Sequence, residues 1–323
     1  MKQIQKHLGL LISLLVIIAI SAQPIITKNA SSREIVFTIL KAIALASSLN
    51  IFLGYTGYVS FGHIVYFGIG GYMSFYLLAV QGWPLWQSML VGGFTAGLVA
   101  FLLGSAILRL RGAYFALATI GVNEVMRAFV NNFEPFGGPI GMMMNFNVYK
   151  DYGGAAQALQ MTFYVMLAIT IAVVIVSYFI KISKFGLGLM AIREDEDAAE
   201  VIGVVSHRTK TWAYVVSAFF PGLVGALFFF KSGSIEPHPA FPLHQSIETI
   251  VWVMLGGQGT VLGPILGAAG YQRMRGLLVT SPVFGNIQQS VSGLFLLVIV
   301  LFVPAGLIGW VRHRYPKLRR YLL

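Results

Sequence analysis

Between Phe185 and Arg208 the chain reads FGLGLMAIREDEDAAEVIGVVSHR, and Glu194, Asp195, Glu196, Asp197 and Glu200 supply five of its eleven acidic side chains. Winding this stretch at about 100° per residue places Arg193, Glu196, Asp197 and Glu200 in one stripe, opposite Leu187, Ala191, Ala198 and Ile202. The expectation is one short amphipathic helix, with Ala199 and Gly203 as a small-residue shoulder where another backbone approaches. The six His residues (7, 63, 207, 238, 244 and 313) are scattered, with no HExxH or similar ligand spacing. Cys is absent, so there is no thiol nucleophile, disulfide or Cys-based metal site. GxSxG, a nucleotide P-loop and paired acids with His are missing too, so catalytic and metal residues are both read as none. The chemistry this stretch offers is docking: acids and a small-residue shoulder presented to a soluble partner.

Three residues apart, Glu124 and Arg127 share a helix face and can pair. Ionisable groups inside a bilayer are functional candidates, but a static pair, or Arg127 reaching the outer interface, is the reading preferred here. Asn123, Asn131 and Asn132 add polar groups to the same helix. Glu248 reads as an acid in a first helical turn, facing the positive end of the helix dipole, and His63 as a packing or hydrogen-bonding His.

The elements that must hold these residues belong to a membrane. Of 323 residues, 57% are hydrophobic and 10% charged, with a mean hydropathy of +0.79, whereas soluble domains carry about 25% charged residues. Apolar runs of ~17 to 23 residues without alternation fit helices crossing a core of ~30 Å. The fold class is all-α, a polytopic transmembrane bundle of about ten spans (8 to 11). These lie at 8–22, 34–54, 61–80, 86–108, 113–132, 160–181, 211–231, 245–262, 265–280 and 289–309. Residues 133–159 form an external loop, 186–208 a cytoplasmic loop and 311–323 a basic cytoplasmic tail, all within one domain, 1–323. Both termini are inside. Fourteen of the twenty-two Lys and Arg residues then lie at cytoplasmic ends, four outside, and four (Lys41, Arg127, Arg273, Arg275) within or beside spans. That asymmetry is the positive-inside bias, so the net charge of +11 speaks for membrane lipid and not for nucleic acid.

Two stretches are rich in Gly. GYTGYVSFGHIVYFGIGGY (54–72) carries Gly57 and Gly62 among its glycines, and VMLGGQGTVLGPILGAAGY (253–271) carries Gly256 and Gly259. Each begins where an inward span ends, which suggests equivalent pieces of an internal duplication. Glycine there serves close helix packing, or breaks that expose backbone groups along a polar path. Gly57, Gly62, Asn123, Glu124, Arg127, Gly256 and Gly259 are the candidate path residues.

Asp197-Ala198-Ala199-x-x-x-Gly203 resembles the coupling loop of ABC importer permeases, with Asp where that motif has Glu. AIREDEDAAEVIG resembles the version of that loop in the M-type permeases of branched-chain amino acid importers, and LNIFLGYTGYVSFGH, LRLRGAYFALATIGVNEVMR, GGPIGM, SIETIVWVMLGGQGTVLGPILGA and LFVPAGLIG resemble the same family in order. The resemblance spans about 40–310. It implies a multi-pass permease of a bacterial inner membrane that imports leucine-like amino acids, or urea, short amides or other amino acids in related systems. It implies a second, homologous permease, two ATPase subunits that bind ATP and Mg, and an external solute-binding protein. Arg193, Glu194, Asp197, Ala198, Ala199, Glu200 and Gly203 then couple to the ATPase, and no cofactor belongs to this chain. An ion-driven carrier is the competing class. It would need midplane ionisable groups, and Glu124 with Arg127 comes nearest. An integral-membrane enzyme would need catalytic residues at one face, and none is found.

Overall fold

The computed structural model describes residues 2–27, 29–280, 293 and 306–309. Long apolar segments form helices because a helix satisfies its own backbone where water is absent. In chain order these are α1 (Lys2–Thr27), α2 (Ala30–Leu49), α3 (Ile64–Ala79), α4 (Leu85–Ile107), α5 (Gly112–Asn132) and α6 (Ala155–Ile182). They continue as α7 (Lys184–Glu194), α8 (Glu196–Val201), α9 (Ser206–Ser232), α10 (Pro237–Ala240), α11 (Leu243–Gly256) and α12 (Leu262–Thr280). Among the described residues, six helices are long and apolar enough to cross a membrane: His7–Thr27, Ala30–Gly54, Leu85–Ile107, Gly112–Asn132, Ala155–Ile182 and Ser206–Ser232. The expected span at 61–80 appears as the shorter α3. That at 245–262 stops at Gly256, and α12 carries Gln272, Arg273 and Arg275. The expected span at 289–309 lies outside the described residues except for Gly293 and 306–309, and the 311–323 tail lies outside them altogether.

Helices α2 and α9 are the most buried of the long elements, whereas α1, α4 and α5 turn much of their surface outward. Leu15, Phe94, Leu98, Leu102 and Leu117 on these three helices are exposed, as lipid-facing side chains are. At the centre, α3, α4 and α9 pack most extensively, and glycine permits the approach. A Cβ on Gly70 would stand 2.3 Å from the Gly222 Cα, one on Gly92 2.4 Å from the Gly70 oxygen, and one on Gly225 2.0 Å from the Phe67 oxygen. Lipid gives no hydrophobic drive for helices to associate, so close backbone contact supplies the attraction.

The two Gly-rich stretches share a geometry. Helix α2 passes into a π-type turn at Asn50–Gly54, and regular α-helix resumes at Ile64; α11 ends at Gly256 and α12 begins at Leu262. Each stretch is thus a helix end, a loop and a new helix, and α2, α11 and α12 pack together. Away from the charged segment, β1 (Met142–Met143) pairs antiparallel with β2 (Ser234–Ile235), joining the loops after α5 and α9. Tyr149 Oη donates to the Phe230 carbonyl at 2.8 Å and Tyr152 Oη accepts from the Leu85 N–H at 2.8 Å. The loop expected at 133–159 is thus tied to α4 and to the end of α9.

Gly222→Leu should force α9 off α3 and α4, costing about 1–3 kcal/mol or more. The thermal unfolding midpoint of the detergent-solubilised chain should fall accordingly. An unchanged midpoint would show that the three helices do not meet at this crossing.

Candidate functional site

The charged segment is two helices, not one. Ser183 starts α7 by accepting the Gly186 N–H at 3.1 Å. At Asp195 the backbone turns extended (φ −160, ψ 116), and its carboxylate caps α8 by accepting the Ala198 N–H at 3.0 Å. Glu196 and Asp197 occupy the first turn of α8, where acids meet the positive end of the helix dipole. Gly203 ends it in the left-handed region (φ 92). The bonds Val204 N–H to Ala199 O and Gly203 N–H to Glu200 O, both 3.0 Å, close a Schellman cap. The single stripe expected across Arg193 and Glu200 is therefore broken, because Asp195 stabilises a new helix start better than it continues the old helix. Of the two residues of the expected shoulder, Gly203 is exposed with open space beside it and Ala199 is not. Ala199 is buried, and Gly203 is there for its backbone angle.

Glu196 turns inward. It accepts from the Tyr58 hydroxyl and from the Lys210 ammonium at 2.6 Å, and Arg111 stands 3.7 Å away. Arg111 also pairs with Asp197 at 2.9 Å. One short helix is thus held by the loop before α3, the residue before α5, and α9. Lys210 is buried, with its ammonium 4.5 Å from the Tyr58 ring centre. Burial alone would raise the Glu196 carboxyl, but hydrogen bonds from Lys210 and Tyr58 and the charges of Lys210 and Arg111 outweigh it, holding that carboxyl below the usual range. Burial, reinforced by the carboxylate, pushes the Tyr58 phenol up, so it stays a donor.

Arg193 also turns inward, donating to the Gly54 carbonyl at 2.9 Å. A Cβ on Gly259 would lie 2.8 Å from its guanidinium, and one on Gly57 would lie 3.2 Å from its stem. The two helix breaks are joined at the same place. Asn50 donates to the Thr260 carbonyl at 2.9 Å and accepts the Gly259 N–H at 3.0 Å; Gln258 donates to the Leu53 carbonyl at 3.0 Å. Lys181, from the end of α6, donates to the Gly259 carbonyl at 2.7 Å. A groove of about 540 Å³ runs beside this junction, between Thr56–Val59, Gly112–Ala113 and Arg193–Glu196.

The proposed path residues do not form one cluster. Gly57 and Gly259, both at positive φ, meet at Arg193. Gly62 is packed on α5, where a Cβ would stand 2.8 Å from the Thr119 oxygen, and Gly256 is packed on Gly263, where a Cβ would stand 1.7 Å from the Gly263 oxygen. Asn123 is buried, donating to the Phe241 carbonyl at 3.3 Å, with its own side-chain oxygen unpartnered among the described residues. Glu124 and Arg127 do pair, on the outward face of α5. Glu248 sits beyond the first turn of α11 and pairs with Arg275 of α12 at 3.1 Å, where a dipole contact was expected.

Tyr58, Arg111, Lys181, Lys210, Asn50 and Gln258 escaped the sequence reading as site residues. Three of them were seen only as basic anchors of one membrane face. The signal available was the crowding of acids and bases at that face, and single amides beside glycines in apolar sequence. Outward from the site point Glu194, Asp197, Ala198 and Glu200, with Val201 and Ile202 87% and 74% exposed.

A family model described as branched-chain amino acid transport system / permease component matches residues 33–304. The high-affinity branched-chain amino acid transport system permease protein LivM of Escherichia coli K12 is 27% identical over 300 residues, covering 86% of this chain and 69% of LivM. LivM of Salmonella typhimurium gives the same figures. The high-affinity branched-chain amino acid transport system permease protein LivH of Escherichia coli K12 is 24% identical over 291 residues, covering 82% of this chain and 90% of LivH. No solved structure matches the chain.

Glu196→Gln should destabilise the chain by about 1 kcal/mol, a figure discounted for solvent screening. Because the folded carboxyl is held low, its contribution is full above the usual carboxylate range and is lost as pH falls through the lowered folded value. Unfolding midpoints of wild type and E196Q should therefore converge in acid. A constant gap across the titration would show that Glu196 is not the group that holds α8.

Proposed function

We propose, from the premise that this chain belongs to the branched-chain amino acid transport permease family, its residues 33–304 matching the family model, that it carries aliphatic amino acids inward through an ATP-driven importer. The chain is a permease component, a transport protein and not an enzyme. The observation that carries the mechanism is Arg193, which joins the outward-facing charged segment to the carbonyl of one helix break while lying against the glycine of the other.

In this reading α7 and α8 dock on a cytoplasmic ATPase subunit through Glu194, Asp197, Ala198, Glu200 and the exposed Val201 and Ile202. ATP and Mg bind to two such subunits. When they close, α7 and α8 move as a lever. Arg193, Lys181 and Tyr58 pass that movement to the loops at 54–63 and 257–261, where backbone can rearrange without unwinding a full helix. The pathway lies between this chain and a second, homologous permease. The exposed pair on α5 supports that placement, since a charge on a membrane helix faces protein or water in preference to lipid. An external binding protein delivers the solute to the cap made by β1, β2 and the loop after α5. Ten spans, both ends in the cytoplasm and residence in a bacterial inner membrane complete the proposal. Urea, short amides or other amino acids are the alternative solutes, and a carrier driven by an ion gradient is the alternative class.

The test is uptake of labelled leucine into liposomes holding the full assembly. Uptake should require ATP inside the liposomes, and an ion gradient alone driving it would favour the carrier. Charge reversal at Glu194 and Asp197 together should cut uptake about tenfold or more while leaving the permease intact by size exclusion. Wild-type uptake in that variant would place the contact elsewhere. Arg193→Ala should keep the ATPase subunits bound yet lower the uptake per ATP consumed, and an unaltered ratio would remove Arg193 from the transmission.

A further inference from the structure

Far from the charged segment, a cavity of about 430 Å³ opens between α2, α11 and α12. It falls in the size range of small-molecule sites, roughly 300–1,000 Å³. Its charges do not balance. Glu248 is matched by Arg275 across the α11–α12 contact. Lys41, from the middle of α2, has no ion pair or hydrogen-bond acceptor among the described residues. Its ammonium instead lies 4.3 Å from the Phe228 ring centre and 5.9 Å from that of Phe67.

Ring faces attract a cation but accept none of its three N–H bonds. A lysine held that way inside a membrane bundle, and turned to a cavity, is short of one anion. Trp252, 1% exposed, closes one side of the cavity. Gln245 and Gln272 add amide donors, while Ile35 and Ile39 give an apolar side.

We propose that this cavity binds a singly charged oxyanion attached to an apolar body, the oxyanion on the Lys41 ammonium and the body against Ile35 and Ile39. The carboxylate of an aliphatic amino acid meets that description, and so does the phosphodiester of an anionic lipid. The site is separate from the charged segment and its binding does not depend on ATP coupling, so it stands or falls independently of the transport reading.

The experiment uses the full chain in nanodiscs of phosphatidylcholine, with labelled leucine by equilibrium dialysis. Wild type should bind saturably, 4-methylpentanoate should compete and leucinamide should not. Lys41→Met should weaken binding roughly 10–100-fold, as loss of a charge-assisted hydrogen bond does, and Lys41→Arg should keep most of it. The lipid arm measures phosphatidylglycerol retained from mixed nanodiscs. Retention by wild type that is lost in K41M, without leucine binding, assigns the site to a headgroup. If neither ligand depends on Lys41 the proposal is wrong. Should K41M fail to fold, competition on the wild type decides: displacement by leucinamide but not by 4-methylpentanoate overturns the oxyanion assignment.

Discussion

A peptide group released from a helix inside a membrane must find another partner, because no water is there to take its place. At the π-type turn after α2 the Gly54 carbonyl is released in this way and takes Arg193, while the Leu53 carbonyl, still bonded to the Gly57 N–H, takes Gln258 as a second donor. At the break after α11 the Gly259 and Thr260 peptides take Asn50 and Lys181. Each break is therefore completed by side chains from somewhere else, and neither is self-sufficient. The junction of the two breaks, and the attachment of the charged segment to both, follow from one unmet hydrogen-bonding requirement.

Glycine at this junction has a definite task. With a side chain, Gly259 would run into both the Arg193 guanidinium and the Gly54 oxygen, and its positive φ would be strained besides. The glycines at the centre of the bundle do something different, since Gly70, Gly92 and Gly222 lie in helices and simply let backbones touch. Sequence shows both sets as the same Gly-rich character. Only spacing against partners far along the chain tells a hinge glycine from a packing glycine.

That contrast measures what could be read beforehand. The helical membrane class, the position of the charged segment between α6 and α9, and the Glu124–Arg127 pair were legible, because they follow from composition and from spacing within one helix. The inward turn of Glu196 was not, since its partners Tyr58, Arg111 and Lys210 come from three separate elements. Helical periodicity also misplaced Ala199 and Ile202. It assumes an unbroken helix, and an aspartate able to cap a new one, as Asp195 does, resets the phase of everything after it.

The resulting surface of α8 is uneven in a way that stability alone does not explain. Glu196 is drawn in by a buried lysine, whereas Val201 at the other end of the same helix and Ile202 just beyond it stand exposed beside Glu200. Lipid would suit the two apolar side chains but not Glu200 and Asp197, and water would suit the acids but not the apolar pair. A protein groove with apolar walls and a basic rim suits both. The same reasoning applies to α5, whose exposed ion pair and exposed Leu117 share one helix. Such mixed surfaces gain most from a protein neighbour, and the fold presents one to each of the two kinds of partner proposed for it.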